Sequence, residues 1–398
     1  MNPKFAELSG RYRAALLDDV LPFWMRHSPD REQGGFFTCL ERDGSVYDTD
    51  KFLWLQARQV WTFAMLHNRL ERRTEWLDVA RHGVEFLLAH GRDAAGDWYF
   101  SLTREGRPLV QPYNIFSDCF AVMGLSQYAL ATGDDAAKRA ATATFERILQ
   151  RRANPKGRYA KGVAETRPTI SFSLPMILIN LVGELEWLLP AGAYEQTVAT
   201  SLEEVFGRFL DQELGVLHEH VAPDGRKLDT FDGRLLNPGH GIEAMWFVMD
   251  VAERTGDRAL ARRAVEIALR TLELGWDREH EGIFYFLDLK GRPPQQLEWD
   301  QKLWWVHVET LIALLKGCRL TGNPACWAWF EKVHAYTWAR FPDPKFGEWF
   351  GYLNRRGEVL LSLKGGKWKG CFHVPRALLQ CARELELLAQ TPGGPGDR

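Results

Sequence analysis

His240, His307 and His373 each follow, by 25 or 26 residues, a glycine that opens a short aromatic run. Intervals of 19 to 23 residues lead from the matching glycines of the first half to Arg58, Asp118 and Met176. Glu243 and Glu309 stand just behind two of the histidines. Imidazole changes charge near neutral pH, so two such rings flanking one carbon can take a proton from one face and return it to the other. His240 in NPGHGIEAMW and His373 in KGCFHVPRALL lie at helix starts, where the helix dipole disfavours the imidazolium; both are expected to be neutral bases near pH 7. His307 in WWVHVET is expected to bind or orient a substrate, Arg58 to stabilise negative charge on an oxygen, and Glu243 or Glu309 to fix imidazole tautomers or hold hydroxyls. A lone histidine in an aromatic helix is ordinarily a hydrogen-bonded core residue, but three at one phase point to chemistry. His27, His67, His82, His90, His280 and His334 share no such phase and default to surface or core.

Other chemistries find less support. His218 and His220 alternate on one strand without a third ligand at metal spacing, so no metal site is expected. The six cysteines are scattered without close pairs and read as reduced, buried side chains. No G-x-G-x-x-G follows an expected strand, so no nicotinamide or other cofactor is expected in the chemistry. Paired carboxylates could serve a glycosidase, but the inner phases hold more histidine than isolated acid. Trp54, Trp61, Trp246, Trp304 and Trp305 lie near the histidine phase; one or two could be sugar platforms, the others core. Asp118, Met176, Trp246 and Trp304 join Glu243 and His307 as the expected substrate-binding set. Asp18 and Asp19 read as a solvated helix face.

These residues need a scaffold that brings them together, and the sequence repeats. Aromatic runs follow Gly35 (GFFTCL), Gly96 (GDWYFSL), Gly157 (GRYAK), Gly215 (GVLHEHV), Gly282 (GIFYFLDL) and Gly347 (GEWFGYL), spaced by 61, 61, 58, 67 and 65 residues. Each run reads as a β-hairpin and each interval has room for two helices, with apolar residues at helical spacing. Thr132-Gly133-Asp134, Thr255-Gly256-Asp257 and Thr321-Gly322-Asn323 each offer a glycine to end one helix and a side chain to cap the next. Six such units give an all-α (α/α)6 barrel: a toroid of twelve helices in six repeats, with short β-hairpins at one rim. Residues 1–390 read as one domain and the tail TPGGPGDR, 391–398, as disordered. Lys and Arg number 50 against 52 Asp and Glu, a balance without the excess that nucleic acid would attract. The start is charged and amphipathic, and no stretch reaches membrane-spanning length, so a cytoplasmic protein is expected.

The segments WLQARQVW, NPGHGIEA, QLEWDQKLWWVH, EWFGYL and KGCFHVPR closely resemble the N-acylglucosamine 2-epimerase (renin-binding protein) family in its cyanobacterial-type branch, from LPFW near residue 21 to beyond Arg376. The resemblance implies an (α/α)6 barrel, a homodimer, and reversible epimerisation of N-acetyl-D-glucosamine and N-acetyl-D-mannosamine, with ATP as an activator that is not consumed. Carried over by motif, the essential residues are Arg58, His240, Glu309 and His373. For the nucleotide effector, NPKGRYAKG and LKGGKWKG offer Lys156, Lys161, Lys367 and Lys369, although neither has phosphate-loop spacing and such loops are usually only loops. Related cellobiose 2-epimerases and mannose isomerases carry a further histidine on the third inner helix, where Met176 stands here. That departure argues against activity on unacetylated sugars, the first rival; a renin-binding type of interaction protein and a glycosidase are the others.

Overall fold

The computed structural model describes residues 3–390 except 156–158, 160–162, 164 and 165. Lys156, Lys161, most of the GRYAK run and the 391–398 tail therefore lie outside the described residues. Six helices are buried along most of their surface: α3 Leu53–Arg69, α5 Ile115–Thr132, α7 Ser173–Leu185, α9 Pro238–Thr255, α11 Trp304–Thr321 and α13 His373–Gln390. A helix apolar all round needs neighbours all round, so these form the inner ring. The helices after them, α4 Thr74–His90, α6 Asp135–Gln150, α8 Ala193–Glu204, α10 Arg258–Gly275 and α12 Pro324–Arg340, bury narrower faces. In α10 that stripe is Ala261, Ala264, Val265, Ala268 and Leu272, with arginine and glutamate outside. The Thr-Gly-Asp/Asn triplets act as expected: Gly133, Gly256 and Gly322 adopt φ 74, 70 and 67 at helix ends, and Asp134, Asp257 and Asn323 accept backbone N–H groups of the next helix.

The sixth outer helix comes from the chain start. α1 Pro3–Ala14, a π-helical turn Ala15–Val20 and α2 Leu21–His27 run on without a break and pack against α13. Ser9 bonds the Ala382 carbonyl at 3.0 Å and Tyr12 meets His334 of α12 at 2.8 Å. The N-terminal helix thus completes the last repeat and closes the ring, which an open solenoid would not do.

Small sheets stitch neighbouring repeats together, with local hairpins inside the repeats. β1 Lys51–Phe52, just before α3, pairs with β2 Ser101–Leu102 of the next repeat, which continues to β3 Pro108–Val110. β10 Lys302–Leu303, before α11, pairs likewise with β11 Tyr352–Leu353 and on to β12 Val359–Leu361. β8 Leu235–Leu236 pairs with β9 Leu287–Asp288, β4 Ile170–Ser171 with β7 His220–Val221, and β5 Leu210–Asp211 with β6 Val216–Leu217. The GFFTCL run makes only the isolated bridges Pro29–Phe36 and Leu40–Val46. These loops gather at the N-terminal ends of the inner helices. At the opposite end, Lys316 joins Asp250 and Glu384, Arg319 joins Glu253 and Glu384, and Glu184 accepts from Trp61, Gln127 and Arg69, lacing that end together.

A buried aspartate–lysine pair, joined by a partly exposed arginine, fastens three of the repeat junctions. Asp30 takes Lys51 at 3.0 Å and Arg104 at 2.9 Å; Asp277 takes Lys302 and Arg355, both at 3.0 Å. Asp343 takes Lys364 at 2.8 Å and Arg42 at 2.7 Å, tying the C-terminal loop to the first repeat. Burial alone would raise these carboxyl groups, but the hydrogen bonds from arginine and lysine win and hold all three well below the usual carboxylate range. Asp277→Asn leaves the buried Lys302 without a counter-charge and should cost about 3–5 kcal/mol in urea unfolding. Because the folded-state pKa is the lower one, wild type should keep this contribution above roughly pH 4 and lose it progressively below, while the variant shows a flatter acid limb.

Candidate active site

His240 is placed by local sequence. Pro238 starts α9 and the Asn237 side chain caps it by accepting the His240 N–H at 3.2 Å. The ring then reaches Glu219, its Nδ1 lying 3.1 and 3.0 Å from the two carboxylate oxygens. Glu219 sits between His218 and His220, in the bend between β6 and β7. His218 is held by the Gly233 carbonyl at 2.7 Å and Asp211 at 3.2 Å, so the acid between the histidines serves the site instead.

His373 opens α13, and its Nδ1 lies 2.7 Å from Glu309 Oε1. The same oxygen accepts from Arg376 at 2.7 Å, and the other accepts from Trp246 Nε1 at 3.0 Å. Arg376 also donates to Glu243 at 2.5 Å. Arg58 stacks its guanidinium 4.4, 3.9 and 4.6 Å from the ring centres of Trp54, Phe120 and Phe372, with its Nε unpaired. Both imidazoles lie against one indole, Trp305, at 5.3 Å for His240 and 5.8 Å for His373. With each Nδ1 directed at a carboxylate, each ring keeps Nε2 as its working nitrogen.

The two rings are biased in opposite directions. Burial disfavours a charged His373, Arg58 and Arg376 add to the effect, and its pKa falls well below 6.5. The contact to Glu309 is therefore a neutral imidazole N–H donated to a carboxylate already served by Arg376. Burial works against a charged His240 too, but Glu219 outweighs it by charge and hydrogen bond, and the pKa rises above 6.5. The expectation of two neutral rings thus holds for His373 and is corrected for His240, where a through-space carboxylate outweighs the helix dipole. Arg58 is pushed down to about 9, chiefly by burial, and stays cationic at neutral pH. Glu243, Glu309 and His373 bring ligand atoms within 4.8 Å of one another, as a metal site would. The cation that holds these two carboxylates, however, is Arg376.

The structure brings together Arg58, His240, Glu243, Glu309 and His373, and adds Glu219, Arg376 and Trp305. Other expected members lie elsewhere. His307 is fully buried, its Nδ1 2.7 Å from the Leu303 carbonyl and its Nε2 accepting the Ile283 N–H at 3.0 Å, and burial pushes it down to about 3. It pegs the GIFYF loop and does not bind substrate. Asp118 is buried beside Arg151 at 3.3 Å, pushed up to about 7 mainly by burial, at the junction of α5 and α6. Met176 is sealed in the core, Trp304 is buried edge-on between Tyr352 and His373, and Trp246 is committed to Glu309, so none offers a sugar platform. Lys369 is wholly buried on Glu348 at 2.6 Å and is no effector contact; Lys367 lies in the same loop, over the rings of Phe100 and Trp368. Asp19, expected on a solvated face, instead accepts the Glu348 N–H at 3.2 Å.

Residues 35–377 match the family model described as N-acylglucosamine 2-epimerase. The chain is 42% identical to the N-acylglucosamine 2-epimerase of Rattus norvegicus over 95% of its own length and 92% of that protein's. To the cellobiose 2-epimerase of Bacteroides fragilis it is 25% identical over 92% of its length and 96% of the relative's. Among solved structures, the cellobiose 2-epimerase from Bacillus thermoamylovorans superposes with a TM-score of 0.83 at 20% identity, covering 96% of this chain and all of that one; the shared fold is the (α/α)6 barrel.

Glu219→Gln keeps the shape of the partner but removes its charge, so the His240 pKa should fall. Imidazole proton shifts followed by NMR through a pH series would show it; an unmoved His240 titration would mean that Glu219 does not set its charge.

Proposed function

The chain belongs to the N-acylglucosamine 2-epimerase family, and from that premise we propose that it interconverts N-acetyl-D-glucosamine and N-acetyl-D-mannosamine by exchanging the C2 proton between His240 and His373. The observation that carries the mechanism is the pair of imidazoles on different helices, each with Nδ1 on a carboxylate, flanking one indole and biased to opposite charge. Two basic nitrogens with unlike proton states suit a reaction that removes and returns one proton.

The C2 proton is acidic only when C1 is an open-chain carbonyl, so the pyranose must first open. In one direction neutral His373 takes the C2 proton, the C–H electron pair moves toward C1, and the carbonyl oxygen becomes the oxygen of a 2-acetamido enolate. Arg58, rigidly stacked and with a free Nε, supplies positive charge there. Protonated His240 then delivers a proton to the opposite face of C2. The reverse reaction runs through the swapped proton states. Glu219 and Glu309 fix the tautomers, and the route needs no redox cofactor.

Activation by a nucleotide that is not consumed, and assembly as a homodimer, belong to this reading through the family resemblance; of the four lysines first considered, Lys367 is the one remaining effector candidate among the described residues. A cytoplasmic location is likewise part of the reading; no described helix is long and apolar enough to cross a membrane.

Proton NMR of N-acetylmannosamine with enzyme and ATP in deuterium oxide should show N-acetylglucosamine carrying deuterium at C2. His240→Ala and His373→Ala should each slow conversion roughly 10²- to 10⁴-fold. Conversion without solvent deuterium would overturn the two-histidine route, and conversion of glucose or cellobiose alone would overturn the substrate.

A further inference from the structure

Among the described residues, two non-glycine residues have left-handed backbone, Glu281 at φ 60 and Glu348 at φ 53. Glu348 stands where two other repeats place a glycine. The Asp30 N–H bonds the Gly35 carbonyl and the Asp277 N–H bonds the Gly282 carbonyl, as the Asp343 N–H bonds that of Glu348. Side chains seldom hold this conformation unless their surroundings impose it, and such positions gather at functional sites. The surroundings here are dense. Glu348 is wholly buried, its carboxylate oxygens taking Lys369 and Trp24 Nε1, each at 2.6 Å. Its backbone N–H is held by Asp19, from the π-helical turn of the N-terminal helix, and its carbonyl by Lys364 at 3.0 Å. A glycine would supply the turn but not the carboxylate.

What that carboxylate secures is the segment entering α13. Lys369 is also buried, and its ammonium bonds the Lys364 carbonyl at 2.8 Å. Its stem and the Trp304 indole both crowd Gly351, where an added Cβ would lie 2.7 Å from the lysine and 3.3 Å from the indole. Trp304 in turn packs edge-on against His373. Three residues separate Lys369 from His373, and one of them, Phe372, is a face on which Arg58 stacks. We propose that Glu348, which touches no reacting atom, is the positioning residue for His373 and Phe372, acting through Lys369.

The proposal rests on the two-histidine reading, and its test separates the two. In deuterium oxide, the C2 deuterium appearing in remaining substrate is compared with product formed, starting from each epimer in turn. Glu348→Gln keeps the size and a weaker acceptor but releases Lys369. If only proton transfer by His373 is impaired, the exchange-to-product ratio should rise from one epimer and fall from the other, by roughly tenfold for a displacement below 1 Å. Glu348→Gly/Lys369→Met removes the backbone strain and the orphaned charge together, and should shift the ratios in the same senses if the single variant folds poorly. Equal slowing in both directions with unchanged ratios would overturn the positioning role. Absence of C2 exchange in wild type would overturn the two-histidine reading as well.

Discussion

A charge taken out of water must be matched in place, and the centre of this barrel is organised around that requirement. Glu309 is fully buried and has three donors, Trp246, Arg376 and His373, drawn from two other inner helices. Removing any donor would leave an under-solvated carboxylate, so the helices that carry them are held in register by the same bonds that orient the chemistry. His373 can remain neutral because Arg376 already meets the charge of Glu309. Among the described residues no cation competes with His240 for Glu219, and that carboxylate raises the His240 pKa. One architecture thereby yields two imidazoles of opposite bias.

The same rule operates at the rim. Three aspartates, each bound by a lysine and an arginine, join the end of an outer helix, the approach to an inner helix and the turn of an adjoining repeat. The Asp343 triad crosses the seam where the two ends of the chain meet. Near that seam, the Asp19, Glu348 and Lys369 cluster extends the anchoring to the loop that enters α13. Both His240 and His373 thus project from helix starts fixed by loops, while the ion network at the opposite end braces the helices behind them.

Asp118 and His307 are misplaced for one geometric cause. Counting from a repeat glycine aligns the hairpins, but a side chain's direction depends on its position within its own helix. Arg58, Glu243 and Glu309 are each the sixth residue of their helices and converge. Asp118 and His307 are each the fourth, and two residues turn a helical side chain by about 200°, from the axis to the outer layer. His240 and His307 both stand 25 residues after their glycines, but as the third residue of α9 and the fourth of α11, so His307 shares the count while packing against Tyr336 and Phe341.

Much was legible beforehand. The repeat, its helices, their caps and the identity of the central basic and acidic residues follow from local pattern, because apolar periodicity, capping and glycine turns depend on neighbours along the chain. Arg376 and Glu219 were present in recognisable motifs yet carried no sign of their roles. Those roles come from partners 133 and 21 residues away, Glu243 and His240. Closure by the N-terminal helix and pairing of strands across repeats were likewise settled only by the tertiary structure, which also pushes the His240 and His373 pKa values in opposite directions. Charge, burial and hydrogen bonding act through space, and a pKa is set by what surrounds a group rather than by what precedes it in the chain.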